Sequence, residues 1–130
     1  MSERPGPQSD GANSLSILLV DDDALIRMST TAMLEDLGHR VQQAAKAQDA
    51  LAILAVDSTI DVLIADLALP DMNGAELAAK ACNLSKRLGV IFATGHRRSM
   101  IDLDPAKIRY AFLSKPYDTE QLSQALAKVR

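Results

Sequence analysis

The sequence predicts an α/β fold built on a doubly wound, five-stranded parallel sheet with helices on both faces. Short continuous apolar runs, typical of strands buried on both faces, alternate along the chain with stretches of helical spacing. Right-handed crossovers and short connections favour the strand order 2-1-3-4-5. This topology places a ligand crevice at the carboxyl ends of the strands, between strands 1 and 3, where the winding reverses.

The five strands are predicted from apolar runs that end in turn or polar residues. They cover residues 15–20, 39–44, 62–65, 90–93 and 110–114. The first run ends in three consecutive aspartates, of which Asp23 is expected to cap the following helix. The third run ends at Asp66, and Pro70 with Asn73-Gly74 then supplies a turn. Asp66 therefore lies where a sheet of this kind holds its ligands, with simple capping of the loop as the alternative.

Helical spacing of apolar residues predicts helices over 24–37, 48–56 and about 74–85, and a last helix that begins at Asp118. Gly38 is expected to end the first helix, and Asp118 with Gln121 forms a capping-box-like start for the last. One short or labile helix is expected within 96–109, where Pro105 prevents a long one. The side chains expected to face the core are Ile26, Thr30, Met33 and Leu37, then Leu51 and Leu54, then Leu77, Ala81 and Leu84, and finally Leu122, Ala125, Leu126 and Val129.

Composition limits the class of protein. A chain of 130 residues fits one domain, expected over 15–130, after a Pro-, Gly- and Ser-rich tail over 1–14 that should be disordered. The net charge of −3, with no basic block, gives no general attraction to nucleic acid or anionic lipid. A single cysteine excludes an internal disulfide, and neither a membrane span nor a signal peptide is evident. We therefore expect a cytoplasmic protein, and the initial Met favours a complete chain.

Charged and hydroxyl side chains end four of the five strands. Asp21-Asp22, Asp66, Thr94 and Lys115 should converge on the crevice. At ~5 Å and an effective dielectric constant of about 20, each carboxylate pair repels by about 3 kcal/mol, so the cluster should hold protons or bind a divalent cation. Oxygen ligands alone suit Mg²⁺.

A carboxylate beside Mg²⁺ can attack a phosphoryl group to form an acyl phosphate. Lys115 would supply positive charge and the Thr94 hydroxyl a hydrogen-bond donor. Taken singly, each of these residues also has an ordinary structural interpretation: a helix cap for the aspartates, a turn residue for Thr94 and a surface lysine for Lys115.

Four strings together resemble the CheY-like receiver domain of bacterial two-component response regulators. They are LLVDDDALIR at 18–27, DVLIADLALPDMNG at 61–74, FATG at 92–95 and FLSKP at 112–116. The resemblance covers residues 15–130 and implies a flavodoxin-like fold and a phosphoprotein that depends on Mg²⁺. It implies that Asp66 is the phosphoacceptor, that Asp22 binds Mg²⁺ directly and Asp21 through water, and that Asp66 and the carbonyl of Ala68 complete the ligand set.

The same resemblance implies roles for residues on the last two strands. Thr94 would be the switch hydroxyl, and Lys115 would pair with the phosphoryl group, followed by a cis bond to Pro116. Phe112 holds the place of the switch aromatic and lacks a hydroxyl. Ala68 and His96 hold the two positions that should tune the lifetime of the phosphoryl group.

The string at 92–95 also resembles a subgroup of stand-alone receivers called FATGUY, found chiefly in alphaproteobacteria. Its members are associated with stress signalling, with kinases of the HWE or a related type, and with an irregular fourth helix. The subgroup usually continues with an apolar residue and tyrosine, whereas His96-Arg97 follows here.

These patterns predict a single-domain response regulator that accepts a phosphoryl group from a histidine kinase or phosphotransfer protein. It would be no enzyme beyond its own Mg²⁺-dependent phosphorylation and dephosphorylation. Output would pass to a protein partner through the fourth helix, fifth strand and last helix, or the chain would serve as a phosphate sink or shuttle. The alternatives are an aspartyl-phosphate phosphatase of the haloacid-dehalogenase type, disfavoured because Asp66 follows the third strand and no cap domain is present, and a pseudo-receiver that binds partners without phosphorylation.

Overall fold

A computed structural model describes residues 14–95 and 108–130 and contains a five-stranded parallel sheet. The strands lie in the order β2-β1-β3-β4-β5, so the predicted fold class and strand order are confirmed. Their bounds are Ser16–Val20 for β1, Arg40–Ala44 for β2, Val62–Asp66 for β3, Gly89–Thr94 for β4 and Arg109–Ser114 for β5.

Four helices flank the sheet within the described ranges. They are α1 (Ala24–Asp36), α2 (Ala47–Val56), α3 (Gly74–Leu84) and the C-terminal helix α4 (Thr119–Val129). The short helix expected within 96–109 falls mainly on residues 96–107, outside the described part of the chain, and so does almost all of the tail expected over 1–14.

The continuous apolar runs are explained by burial of the central strands on both faces. In β1, Ile17 and Leu19 belong to the core cluster that α1 and α4 complete, whereas Leu18 and Val20 belong to the cluster that α2 and α3 complete. Because successive side chains of a strand point to opposite faces, a strand between two helical layers needs apolar residues at every position. The helices therefore cover both faces, as predicted.

Three predicted helix ends have the expected chemistry. The Asp23 carboxylate accepts hydrogen bonds from the backbone N–H groups of Leu25 and Ile26 and so caps α1. Gly38 follows that helix with φ at 94°, in the left-handed region that glycine adopts without steric cost. Asp118 and Gln121 form a reciprocal capping box at the start of α4.

Two predicted core faces were partly wrong. In α1 the predicted Thr30 is buried, together with Thr31 and Leu34, while the predicted Ile26, Met33 and Leu37 are only partly buried. The helix is therefore rotated from the face that its apolar residues predict. In α3 the prediction for Leu84 was wrong, because half of that side chain is exposed at the last residue of the helix. The helix buries Ala78 in addition to the predicted Leu77 and Ala81.

His39, for which we predicted no role, is buried and connects the start of the sheet to the end of α1. The backbone N–H of Leu15 donates to Nδ1 of His39 over 3.0 Å, which requires that nitrogen to be unprotonated. Burial, and secondarily the positive charge of Arg130, hold the pKa of His39 below its ordinary value. Protonation of His39 therefore favours the unfolded chain.

We predict that the free energy of unfolding falls as the pH decreases below about 6.5, the ordinary pKa of histidine, and levels off below the folded-state pKa of His39. Each unit of pKa difference between the folded and unfolded states is worth about 1.4 kcal/mol. Urea denaturation between pH 8 and pH 5 measures this effect. His39→Gln, which keeps an acceptor and does not titrate, should flatten the profile, and an unchanged profile would contradict the assignment.

Candidate functional site

Three charged side chains meet where β1, β3 and β5 end. Lys115, directly after β5, places its Nζ 2.7 Å from Oδ2 of Asp66 and 3.0 Å from Oδ2 of Asp21. The side chains are largely withdrawn from solvent, with 16% of Lys115, 12% of Asp66 and 3% of Asp21 exposed. The structure thus brings together groups that are 45 and 49 residues apart in sequence, as the predicted convergence of strand ends requires.

The electrostatics of this contact favour the charged form of Lys115. Burial alone would lower the pKa of the Lys115 ammonium, but the hydrogen bonds and negative charges of Asp66 and Asp21 outweigh it and raise the pKa above its ordinary value. Lys115 is therefore a fixed positive charge across the pH range in which cells work.

Asp22 completes an acidic cluster with the other two aspartates. Each of Asp21, Asp22 and Asp66 offers a carboxylate oxygen, and these atoms all lie within 4.8 Å of one another. The side chain of Asp21 is buried, whereas that of Asp22 is exposed to solvent. Oδ1 of Asp21 accepts a hydrogen bond from the N–H of Asp23, so this carboxylate is held by the turn that begins α1. A cluster of oxygen donors with one exposed member fits Mg²⁺, which prefers oxygen ligands and retains several waters.

The loop from β3 to α3 is fixed at both ends. The N–H of Ala68 donates to Oδ1 of Asp66 over 2.9 Å, and Ala68 forms an antiparallel bridge with Asn73. Asn73 then caps α3 by accepting from the N–H of Glu76. Ala68 is exposed beside the carboxylate and presents no functional group of its own.

Sequence reasoning missed the contribution of Asp71 to this loop. The N-cap residue of α2, Lys46, makes no side-chain capping bond, and the Asp71 carboxylate instead accepts from the N–H groups of Ala47 and Gln48, each over 3.0 Å. These bonds, that from Gln48 first, lower the pKa of Asp71. Lysine is not a capping residue, so its presence at the N-cap position of α2 was the available signal that another residue caps this helix.

The predicted switch residues lie on neighbouring strands. Thr94 is buried at the end of β4, and its carbonyl accepts the N–H of Lys115 over 2.8 Å. Phe112 is partly buried on β5, with its ring centroid 5.7 Å from that of Phe92 and 5.9 Å from that of Tyr110. His96 lies outside the described residues.

A groove of about 430 Å³ runs between α1 and the residues that follow β5. Lys115 lines it together with Pro116, and the bond between them is cis, as the resemblance implies. Leu25 also lines the groove, with 78% of its surface exposed. At its floor the hydroxyls of Thr30 and Tyr117 lie 2.6 Å apart.

Residues 17–127 match the family model of the response regulator receiver domain. The chain belongs to this family. Receiver domains are signalling modules of two-component systems, which implies a phosphorylatable aspartate and an acidic pocket for Mg²⁺. The fold and the acidic cluster described above agree with that membership.

Curated relatives share roughly a quarter of their residues with this chain. A sensor kinase, CckA of Brucella abortus, is 27% identical over 123 residues, which are 93% of this chain and 13% of that protein. The transcriptional regulatory protein LytR of Staphylococcus aureus is 28% identical over 118 residues, 89% of this chain and 47% of that protein. The chain thus spans less than half the length of either relative.

A solved CheY-like receiver domain from Methanospirillum hungatei is 31% identical and superimposes with a TM-score of 0.77, covering 88% of this chain and 92% of that one. The CheY-like resemblance is thereby confirmed. In the described part of this receiver, no helix has the length and apolar character needed to cross a membrane.

We predict that Gly74→Ala lowers the free energy of unfolding by about 1–3 kcal/mol, the cost of overpacking a filled site. A Cβ on Gly74 would lie 2.9 Å from Cα of Leu67 and 3.0 Å from the carbonyl oxygen of Asp66, both backbone atoms. Chemical denaturation measures the loss. Gly95→Ala is the matched control, since a Cβ there meets nothing within 4 Å. Equal effects of the two substitutions would contradict this account.

Proposed function

We propose that this receiver accepts a phosphoryl group on Asp66 from a phosphohistidine of a histidine kinase or a phosphotransfer protein. The observation that carries the proposal is the ammonium of Lys115, within 3.0 Å of carboxylate oxygens of both Asp66 and Asp21. A lysine held over an aspartate at the carboxyl end of a parallel strand is a site prepared for an anionic group.

In the proposed reaction, a carboxylate oxygen of Asp66 attacks the phosphorus atom of the donor. A P–O bond forms, the P–N bond breaks, and its electron pair leaves with the imidazole of the donor histidine. The chain contributes position and charge rather than covalent chemistry beyond the nucleophile. The N–H of Ala68 orients Oδ1 of Asp66, and Lys115 neutralises charge on the phosphoryl oxygens.

Asp22, Asp66 and the carbonyl of Ala68 are the proposed direct ligands of Mg²⁺, and Asp21 would act on the ion through water. Bound Mg²⁺ would offset the carboxylate charge and orient phosphoryl oxygens. The fit rests on the three carboxylate oxygens within 4.8 Å of one another. Ala68 leaves the approach to Asp66 open, so water access and phosphoryl lifetime should depend on this position and on His96.

The proposed switch couples Thr94 to Phe112. Movement of the Thr94 hydroxyl towards a phosphorylated Asp66 would bias the packing of the Phe112 ring. A local change of charge would thus shift a side chain between two conformations. Phe112 also lines a shallow concavity of about 220 Å³ between β5 and α4 that includes Gln121 and Lys128. This concavity supports the proposal that output passes to a protein partner through that face.

Three finer assignments extend the proposal: a stand-alone organisation, membership of the FATGUY subgroup, and an HWE-type kinase as donor. They rest on the string at 92–95. Immunoblotting of the endogenous protein in the source cells would test the first, with a species of about 14 kDa expected. A much larger species would contradict it.

We predict that intact-mass spectrometry after incubation with acetyl phosphate and Mg²⁺ shows one added phosphoryl group on the wild-type chain. Hydroxylamine should remove it, because acyl phosphates are cleaved by this nucleophile, and a chelator should prevent its formation. Asp66→Asn should gain none, since the amide is not a nucleophile towards phosphorus.

Asp49→Asn is the matched control, because this carboxylate is exposed in the first turn of α2 and outside the acidic cluster. It should be phosphorylated like wild type. Equal phosphorylation of Asp66→Asn would show that Asp66 is not the acceptor. No gain in wild type, even with a histidine kinase as donor, would instead indicate a binding module that works without phosphorylation.

A further inference from the structure

A hydroxyl pair ties α1 to the segment that carries Lys115. Oγ1 of Thr30 and the phenol oxygen of Tyr117 lie 2.6 Å apart, although the residues are 87 positions apart in sequence. Thr30 is 1% exposed, and Tyr117 is partly buried against the core cluster below α1 and α4. A threonine hydroxyl within a helix ordinarily bonds to a carbonyl of the preceding turn or to water, so a bond to a distant side chain indicates a specific tertiary contact.

This bond is one of two anchors on a very short connection. Lys115 follows β5 directly, and its N–H donates to the carbonyl of Thr94 on the neighbouring strand. Tyr117 lies two residues later, immediately before Asp118, the N-cap of α4. The backbone of Lys115 is thus held by β4 on one side and, through Tyr117, by α1 on the other.

The position of the ammonium depends on this backbone. The four-carbon stem of lysine is flexible, and it has no planar group that would fix its geometry at a carboxylate. In this site Nζ must nevertheless lie within hydrogen-bonding distance of Asp66 and Asp21 at the same time. A displacement of its Cα would favour one carboxylate at the expense of the other.

We propose that the Thr30–Tyr117 hydroxyl pair is a positioning element that holds Lys115 between Asp66 and Asp21. Its effect on phosphorylation rests on the proposed function, whereas its effect on the unphosphorylated site does not. Lys115 and a bound cation are both attracted to the carboxylates of Asp66 and Asp21, so they compete for the same negative charge. Loosening Lys115 therefore slows the reaction that needs its charge, yet leaves cation binding unchanged or tighter.

The test removes one hydroxyl at a time. Tyr117→Phe keeps the ring in the core, Thr30→Val keeps the shape of the threonine, and Thr30→Ser keeps the hydroxyl. Thr31→Val is the matched control on α1, because the buried Thr31 hydroxyl has no hydrogen-bond partner among the described residues. Tyr110→Phe is the control for loss of a phenol hydroxyl, as the chain has two tyrosines.

Two quantities are measured for every variant: the rate of phosphorylation by acetyl phosphate at saturating Mg²⁺, and the Kd of Mg²⁺ for the unphosphorylated chain by NMR titration. Tyr117→Phe and Thr30→Val should each slow phosphorylation about fivefold, which at 1.4 kcal/mol per tenfold is about 1 kcal/mol. Their double variant should be no slower than either, because one bond is lost in all three. Thr30→Ser should restore most of the rate, and both controls should match wild type.

The Mg²⁺ titration separates positioning from general loosening of the site. The proposal requires the Kd of Mg²⁺ to stay equal or fall in Tyr117→Phe, whereas a site that is merely disordered would bind Mg²⁺ more weakly. Wild-type rates in Tyr117→Phe, weaker Mg²⁺ binding, or failure of Thr30→Ser to restore the rate would each overturn it. If the wild-type chain takes up no phosphoryl group, the proposed function fails. The positioning claim is then decided by Mg²⁺ alone: a lower Kd in Tyr117→Phe supports it, and an unchanged or higher Kd overturns it.

Discussion

The contact of Lys115 with Asp66 and Asp21 is the interaction on which the rest of the site depends. The sheet makes it unavoidable that the two carboxylates lie close together, because β1 and β3 are neighbours and Val20 pairs with Ala65 in register. The next residue of each strand is an aspartate. Two such carboxylates repel, and the ammonium between them offsets that repulsion when no other cation is bound. The strand order of this parallel sheet thus creates the ligand crevice, and the aspartates at the strand ends supply the negative charge that must be balanced within it.

Hydrogen bonds from the neighbouring backbone hold the two repelling carboxylates in place. The turn after β1 holds Asp21 through the N–H of Asp23, and the loop after β3 holds Asp66 through the N–H of Ala68. Asp71 ties that same loop to the first turn of α2. In the proposed reaction, a site held in this way would need little reorganisation to receive a phosphoryl group, which is how preorganised charge accelerates phosphoryl transfer.

Much of the fold and of the site could be predicted because it follows from strands buried on both faces. An apolar run such as 62–65 has few alternatives to a buried strand, and five of them with helices between leave few topologies. Residues at the ends of parallel strands then converge by geometry alone, which is why the proximity of Asp21, Asp66 and Lys115 could be predicted.

Side chains with many possible partners could not be placed in the same way. Thr30 has an ordinary role in a helix, Asp71 in a turn and His39 in a loop, and nothing local indicates that each has a partner far along the chain. The core face of α1 was only partly predicted. Thr30 was placed correctly, but Thr31 and Leu34 are buried beside it, whereas the predicted Met33 and Leu37 are only partly buried. Apolar spacing alone does not decide which of two neighbouring stripes of a helix faces the core, and the buried Thr31 hydroxyl has no hydrogen-bond partner among the described residues.

The most direct test of the central claim is thermal unfolding of wild type and Asp22→Asn, each with a chelator and with Mg²⁺. If the acidic cluster is held together against repulsion and discharged by a cation, Asp22→Asn melts above wild type in the chelator, because one of three clustered carboxylates has lost its charge. Mg²⁺ then raises the melting temperature of wild type substantially and that of the variant little, since a ligand stabilises only the state that binds it. A variant that melts below wild type in the chelator and gains as much from Mg²⁺ would contradict the account.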